Sequence, residues 1–141
     1  MKSKMDDIIG LYIHRLDLKI TSLLRSKLEP FQLAPEQHLI LMLLQERDGL
    51  TQNEIAQELD KDKTNITRMV SSLEKKAFIK RVNSLEDRRF VSVHLTDTGR
   101  DLCERIKPIL EEVNGQIIED VSSEELVTLR KILQKIDKNV E

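Results

Sequence analysis

Apolar positions recur at helical spacing through most of this chain and give way to strict alternation only once. Ile9, Tyr12, Ile13, Leu16, Ile20, Leu23 and Leu24 mark a long amphipathic helix over residues 6–28. "EPFQLAPEQ" breaks it, and Pro35 suits the first position of a second helix over 35–46. Leu39, Leu41, Met42, Leu43 and Leu44 make that helix apolar nearly all round, which predicts burial. "RDGL" at 47–50 ends it with a glycine turn. Thr51 opens a third helix through a capping box, "TQNE", in which Thr51 and Glu54 satisfy each other's free amides. Asp62 caps a fourth helix, "KTNITRMVSSLEKKAF", with Ile66, Met69, Val70 and Leu73 as its buried stripe.

After Phe78 the period becomes two. "FIKRVN" and "RFVSVHLT" are short, β-branched and separated by the polar "SLEDR", a hairpin signal. Thr96 or Thr98 caps the next long helix, whose stripe runs through Leu102, Ile106, Ile109, Leu110, Val113 and Ile117. Pro108 lies inside it, so a kink or break is expected near 104–108. A second capping box, "SSEE" at 122–125, opens the last helix, with Leu126, Leu129, Leu133, Ile136 and Val140 spaced by threes and fours. That seam fits a second chain and a helix docked on its own domain equally well.

At 141 residues the chain is sized for one domain with a real core. Apolar residues at 39% and charged residues at 34% fit a folded, water-soluble chain. No apolar run approaches the roughly 18 residues that span a bilayer, and "MKSKMDDIIG" lacks a signal-peptide core. The single cysteine, Cys103, excludes an internal disulfide. A cytoplasmic protein without membrane contact is expected.

The net charge of −2 hides an asymmetry: residues 1–60 carry −3, residues 61–89 carry +5 and residues 90–141 carry −4. A basic island between acidic flanks suits one local surface facing a polyanion, although a solvated face would look the same. The pattern at that island is more specific. Two short helices joined by a tight turn, the second one basic, describe a helix-turn-helix whose second helix can enter the DNA major groove. With its stripe facing inward, rotation by 100° per residue turns Thr64, Arg68, Ser71 and Lys75 outward, with Asn65 and Thr67 beside them and Lys63 at the start. These side chains donate to phosphates and read base edges, and no carboxylate stands at the centre of the face.

"TQNEIAQELDKDKTNITRMVSSLEKKAFIKR" followed by "EDRRFVSVHLTDTGR" resembles the MarR family of bacterial winged helix-turn-helix regulators. The resemblance extends over nearly the whole chain and is most specific at Asp87, Arg88, Arg89, Leu95, Thr96 and Gly99. It implies a mostly α fold with a small β-hairpin wing, a winged helix-turn-helix flanked by long N- and C-terminal dimerisation helices. The divisions it implies are 1–34, 35–100 and 101–141, within one compact domain. It implies further that Arg89 at the wing tip enters a minor groove, oriented by Asp87, with Arg88 nearer the phosphates. Its partners would be double-stranded DNA and a second copy of the chain, on a pseudo-palindromic operator. Where the family commonly has glycine after the recognition helix, this chain has Ala77, so that helix end is expected to differ.

Repression released by a small ligand, with Tyr12 as a candidate lining residue, is the leading expectation; regulation without any effector is equally compatible with the residues, and activation stays open as the other sign of regulation. The competing class is a winged helix that has lost DNA binding and docks on protein, but Arg68, Asp87 and Arg89 are retained. Cys103 shares a helical face with Ile106 and Leu110, the pattern of an inert buried thiol rather than a redox sensor. His14, His38 and His94 stand on three elements without metal-ligand spacing. No phosphate-binding glycine loop or nucleophile motif is present, so no enzyme activity, metal or cofactor is expected.

Overall fold

The computed structural model describes residues 4–87 and 89–141, without the side chains of Met5 and Asp6. A 3-10 turn, Lys4–Asp7, leads into α1 (Ile9–Leu28), and α2 (Pro35–Glu46), β1 (Leu50–Thr51), α3 (Gln52–Glu58) and α4 (Lys63–Lys75) follow. Then come β2 (Ile79–Asn83), β3 (Val91–Leu95), α5 (Asp97–Ile117) and α6 (Ser123–Asn139). Mostly α with a small β wing, the architecture is the expected winged helix-turn-helix with long flanking helices.

The helix starts are where local chemistry puts them. Thr51 Oγ1 accepts from the Glu54 amide at 3.2 Å while the Glu54 carboxylate accepts from the Thr51 amide at 3.1 Å. Ser122 and Glu125 repeat the arrangement at α6, and Asp62 accepts from the Asn65 amide at 2.8 Å. Of the two threonines considered for α5, it is Thr96 that caps, taking the Gly99 amide at 3.0 Å. Each such cap satisfies a free helix amide and contributes about 1 kcal/mol.

One core holds the middle of the chain together. Leu28 of α1, Ile40, Leu41 and Leu44 of α2, Ile55 of α3, Ile66, Val70 and Leu73 of α4, Val93 of β3 and Ile106 of α5 are all buried in it. Met69 packs half-buried at its edge. Between α2 and α4, Gln37 Nε2 donates to Ser72 Oγ at 3.1 Å.

Four details differ from the sequence reading. The hairpin is two strands of a three-stranded sheet, order β1-β3-β2, because Leu50 and Thr51 pair with Val93 and Ser92. Asp48 anchors that third strand: its carboxylate accepts from the Leu95 amide at 2.9 Å and from Arg100 Nη2 at 3.1 Å. α4 stops at Lys75 rather than reaching Phe78, because Ala77 takes a left-handed conformation with φ 66°. α5 runs unbroken through Pro108; the proline and Glu104 one turn earlier are exposed, so water can satisfy the carbonyl left without a donor. Finally, α2 is not buried all round, since Leu39 and Met42 remain more than 40% exposed on its outer face.

The terminal helices carry apolar surface that this chain leaves uncovered. α6 has no buried residue, and Val127, Leu129, Ile132 and Leu133 are exposed on it. On α1 only Leu28 is buried, while Ile9, Leu11, Tyr12, Leu16 and Leu18 face solvent.

Candidate nucleic-acid interface

The outer face of α4 is built by the burial of its opposite side. With Ile66, Val70 and Leu73 in the core, Lys63, Thr64, Thr67, Arg68 and Lys75 are left exposed. Lys63, Thr64, Thr67 and Arg68 border one shallow depression on that face.

A relay of side chains one helical turn apart orients Arg68. The Asp62 carboxylate accepts from Asn65 Nδ2 at 3.0 Å, and Asn65 Oδ1 in turn accepts from Arg68 Nη2. Asn65 is thus half-buried between two partners, with its amide committed to holding the guanidinium. Thr67 Oγ1 donates back to the Lys63 carbonyl at 2.9 Å, which leaves its oxygen lone pair as an acceptor. Ser71 sits differently from its neighbours. It is half-buried, and its hydroxyl accepts from Arg81 Nη2 of β2 at 2.7 Å, so it ties α4 to the wing.

The wing presents Arg89 from the turn between β2 and β3. Its guanidinium grips Asp87 from Nε at 3.1 and 3.2 Å and from Nη2 at 2.9 Å, while its backbone amide donates to Oδ1 at 3.0 Å. Side-chain hydrogen bonds from Arg89, then its backbone amide, hold the Asp87 carboxyl below the usual carboxylate range. The same side-chain bonds raise the Arg89 guanidinium. Yet the Arg89 side chain is 88% exposed, so it is oriented without being sequestered. Arg88 lies outside the described residues.

Wing and helix converge on one concave surface. Arg89, Phe90 and Val91 of the wing, Lys63 of α4, and Thr51, Gln52 and Asn53 at the start of α3 line one shallow cavity. Sequence reasoning missed Gln52, Asn53 and Arg81 because none lies on the α4 face or in the wing turn. The Asp62–Asn65–Arg68 relay was missed as well, although its spacing of threes, at which side chains meet on a helix surface, is the signal that could have found it.

The other candidates lie away from this surface. Tyr12 is 48% exposed on α1. Cys103 is buried, and burial pushes its thiol pKa up, with Glu104 adding to the effect. His38 is buried on α2 and His14 exposed on α1, and among the described residues no three His, Cys, Asp or Glu side chains form a metal-binding group. Among the described residues, no helix is long and apolar enough to cross a membrane.

Comparison with known proteins gives a consistent result. The model of the MarR family matches residues 33–91. A Bacillus subtilis HTH-type transcriptional regulator, YhbI, is 27% identical over 87% of this chain and 80% of its own length. The fold superposes on a mutant MarR from Escherichia coli complexed with operator DNA, with a TM-score of 0.86 at 26% identity, covering 96% of this chain and 99% of that one. It also superposes on the transcriptional repressor CouR of Rhodococcus jostii RHA1, bound to a 23-mer DNA duplex, with a TM-score of 0.87 at 28% identity over 97% and 99% of the two chains.

Proposed function

The chain belongs to the MarR family of transcriptional regulators, non-enzymatic DNA-binding proteins, and from that premise we propose that it is a homodimeric repressor of a pseudo-palindromic operator. The observation that carries this reading is the shared concave surface on which Lys63 of α4 and the oriented Arg89 of the wing meet. In it, α4 (the recognition helix) enters the major groove with Thr64, Thr67 and Arg68 toward base edges. Lys63 and Lys75 meet phosphates, and Arg89 reaches the adjacent minor groove, where a narrow groove concentrates negative potential. Residues 35–100 form the DNA-binding lobe.

The uncovered apolar faces of α1 and α6 supply the dimer contact, so 1–34 and 101–141 act as dimerisation segments. Two-fold symmetry then sets two half-sites about one helical turn apart. Occupying a promoter blocks transcription, in the bacterial cytoplasm. Release follows when a small ligand binds more tightly to a state in which the two recognition helices are misplaced.

The test is fluorescence anisotropy with the DNA upstream of the protein's own gene, at two salt concentrations. Tight binding that outcompetes random DNA and weakens steeply with salt is expected. Absence of binding to any duplex, even at low salt, would overturn the reading in favour of a protein-docking module.

A further inference from the structure

The C-terminal half of α4 is fastened on two sides by neighbouring serines. Ser71 accepts from Arg81 Nη2 of β2, while Ser72 accepts from Gln37 Nε2 of α2 at 3.1 Å. Gln37 is half-buried and uses both ends of its amide. Its Oε1 accepts from the Ala34 backbone amide at 3.2 Å, at the start of α2, and from Lys76 Nζ at 3.3 Å.

Lys76 extends the link. Its ammonium also donates to the Gln32 carbonyl, in the connection between α1 and α2. Both acceptors are neutral, and among the described residues no carboxylate pairs with this lysine. Hydrogen bonds from an ionised donor are the stronger kind, so the two bonds fix where the last turn of α4 sits.

The far side of the link is stiff. Gln32 takes a left-handed conformation, φ 55°, and its amide donates to the Glu29 carbonyl at 2.9 Å. Leu33 returns its amide to the Leu28 carbonyl at 3.4 Å, and both leucines are buried. The connection therefore continues α1, and a restraint on it is a restraint on α1.

What these bonds add to the core is direction. Ile66, Val70 and Leu73 hold α4 by apolar burial, which is non-directional. The DNA-facing side chains begin at Lys63 and Thr64, and Thr64 lies about 12 Å along the helix from Ser72. A tilt of about 10° at the serine end would move the threonine end by about 2 Å, more than a hydrogen bond tolerates.

We infer that Gln37 and Lys76 are positioning residues, which fix the tilt of the recognition helix against α1 and so the spacing of the two half-sites that a dimer reads. Neither belongs to the set placed against DNA. The inference rests on the proposed homodimeric DNA-binding reading, but the tilt itself can be measured without DNA.

The test uses the full chain and two pairs of variants. Gln37→Ala and Lys76→Met cut the link, whereas Gln37→Glu keeps its acceptor and Lys76→Arg keeps its donor. Anisotropy is read on the upstream duplex, on the same duplex with one base pair added or removed between the half-sites, and on a random duplex. The cutting variants should bind the upstream duplex about five- to twentyfold more weakly, and the random duplex within about twofold of wild type. Their discrimination between native and altered spacing should shrink, and the conservative variants should recover most of the loss. A merely structural role would lower the urea midpoint without changing spacing discrimination. No loss on the upstream duplex, or equal losses on upstream and random duplexes, overturns the inference.

Two spin labels per chain, at Lys19→Cys and Thr64→Cys with Cys103→Ala, report the tilt directly when labelled protein is diluted with unlabelled. Gln37→Ala should broaden the distance distribution between them. An unchanged distribution beside tight operator binding by wild type ends the positioning role alone. A broadened one, with no binding of wild type to any duplex, ends the repressor reading alone.

Discussion

Among the described residues, Asp87 accepts every hydrogen bond that the Arg89 side chain makes, and the Arg89 backbone amide besides, so one carboxylate sets both the turn and the direction of the arginine. A carboxylate at a DNA-facing tip is repelled by phosphate, which makes the sign of its removal informative. If Asp87 acts by orienting Arg89, Asp87→Asn should weaken operator binding several-fold although the protein becomes more positive. If only charge mattered, the same change would strengthen binding. Competition titrations with specific and random duplexes distinguish the two.

Arg68 is held from behind by Asn65 and, through it, by Asp62. Arg68→Ala should cost about 1–3 kcal/mol of operator affinity and relax the preference at the base pair it reads. Asn65→Ala should reproduce part of that loss without removing the guanidinium. Binding measured across a set of single-base operator variants would show whether both changes affect the same position.

Ala77 occupies φ 66°, where a β-carbon is crowded against the backbone. Ala77→Gly relieves that crowding and loses some of the benefit through the freer unfolded chain. A net stabilisation of about 0.5–1 kcal/mol is expected, read as a higher urea midpoint with an unchanged slope. Gly99 is the opposite case. A β-carbon there would meet the Phe78 carbonyl oxygen at 2.1 Å, so Gly99→Ala must displace the start of α5 and should destabilise the protein.

The Glu54 carboxyl is held below the usual carboxylate range, first by the Thr51 backbone amide and then by the Thr51 hydroxyl. A depressed folded-state pKa favours the ionised native form. The contribution is therefore present above the unfolded value, about 4.3, and is lost as pH falls through the lower folded value. Wild type should accordingly exceed Glu54→Gln in stability at pH 7, and the gap should shrink once the pH drops below about 4. Glu125, depressed by Ser122 in the same way, should behave alike. Urea titrations at both pH values check each pair.

Leu133 of α6 is 42% exposed in a helix with no buried residue. Leu133→Glu should leave the fold of the monomer intact while shifting sedimentation toward the monomer. A wild-type protein that sediments as a monomer at micromolar concentration would remove the dimer.

What the sequence determined by itself was local. Thr51 with Glu54, Asp62 with Asn65, and Ser122 with Glu125 are separated by three residues, so their hydrogen bonds depend on the helix start alone. The stripe of Ile66, Val70 and Leu73 follows from the helical period, and it also decides which α4 side chains remain outside. The turn that holds Asp87 and Arg89 was legible from its polar residues, whereas the contact between the two was only implied by the family resemblance.

Only the tertiary structure decided what distant segments do to one another. Asp48 reads as an ordinary turn residue until Leu95 and Arg100, some fifty residues on, bring their donors to it. Ser71 belongs to the outward set by helical angle, but Arg81 captures its hydroxyl because β2 folds back alongside α4. β1 is too short to announce itself as a strand and exists because β3 offers it partners. Pro108 would stop an isolated helix, yet packing of Ile106 and Val113 on either side of it holds α5 in line. Hydrophobic period and capping act within a turn or two of helix and are therefore written along the chain. Pairing across the fold depends on which surfaces the core brings together, and no local pattern carries that information.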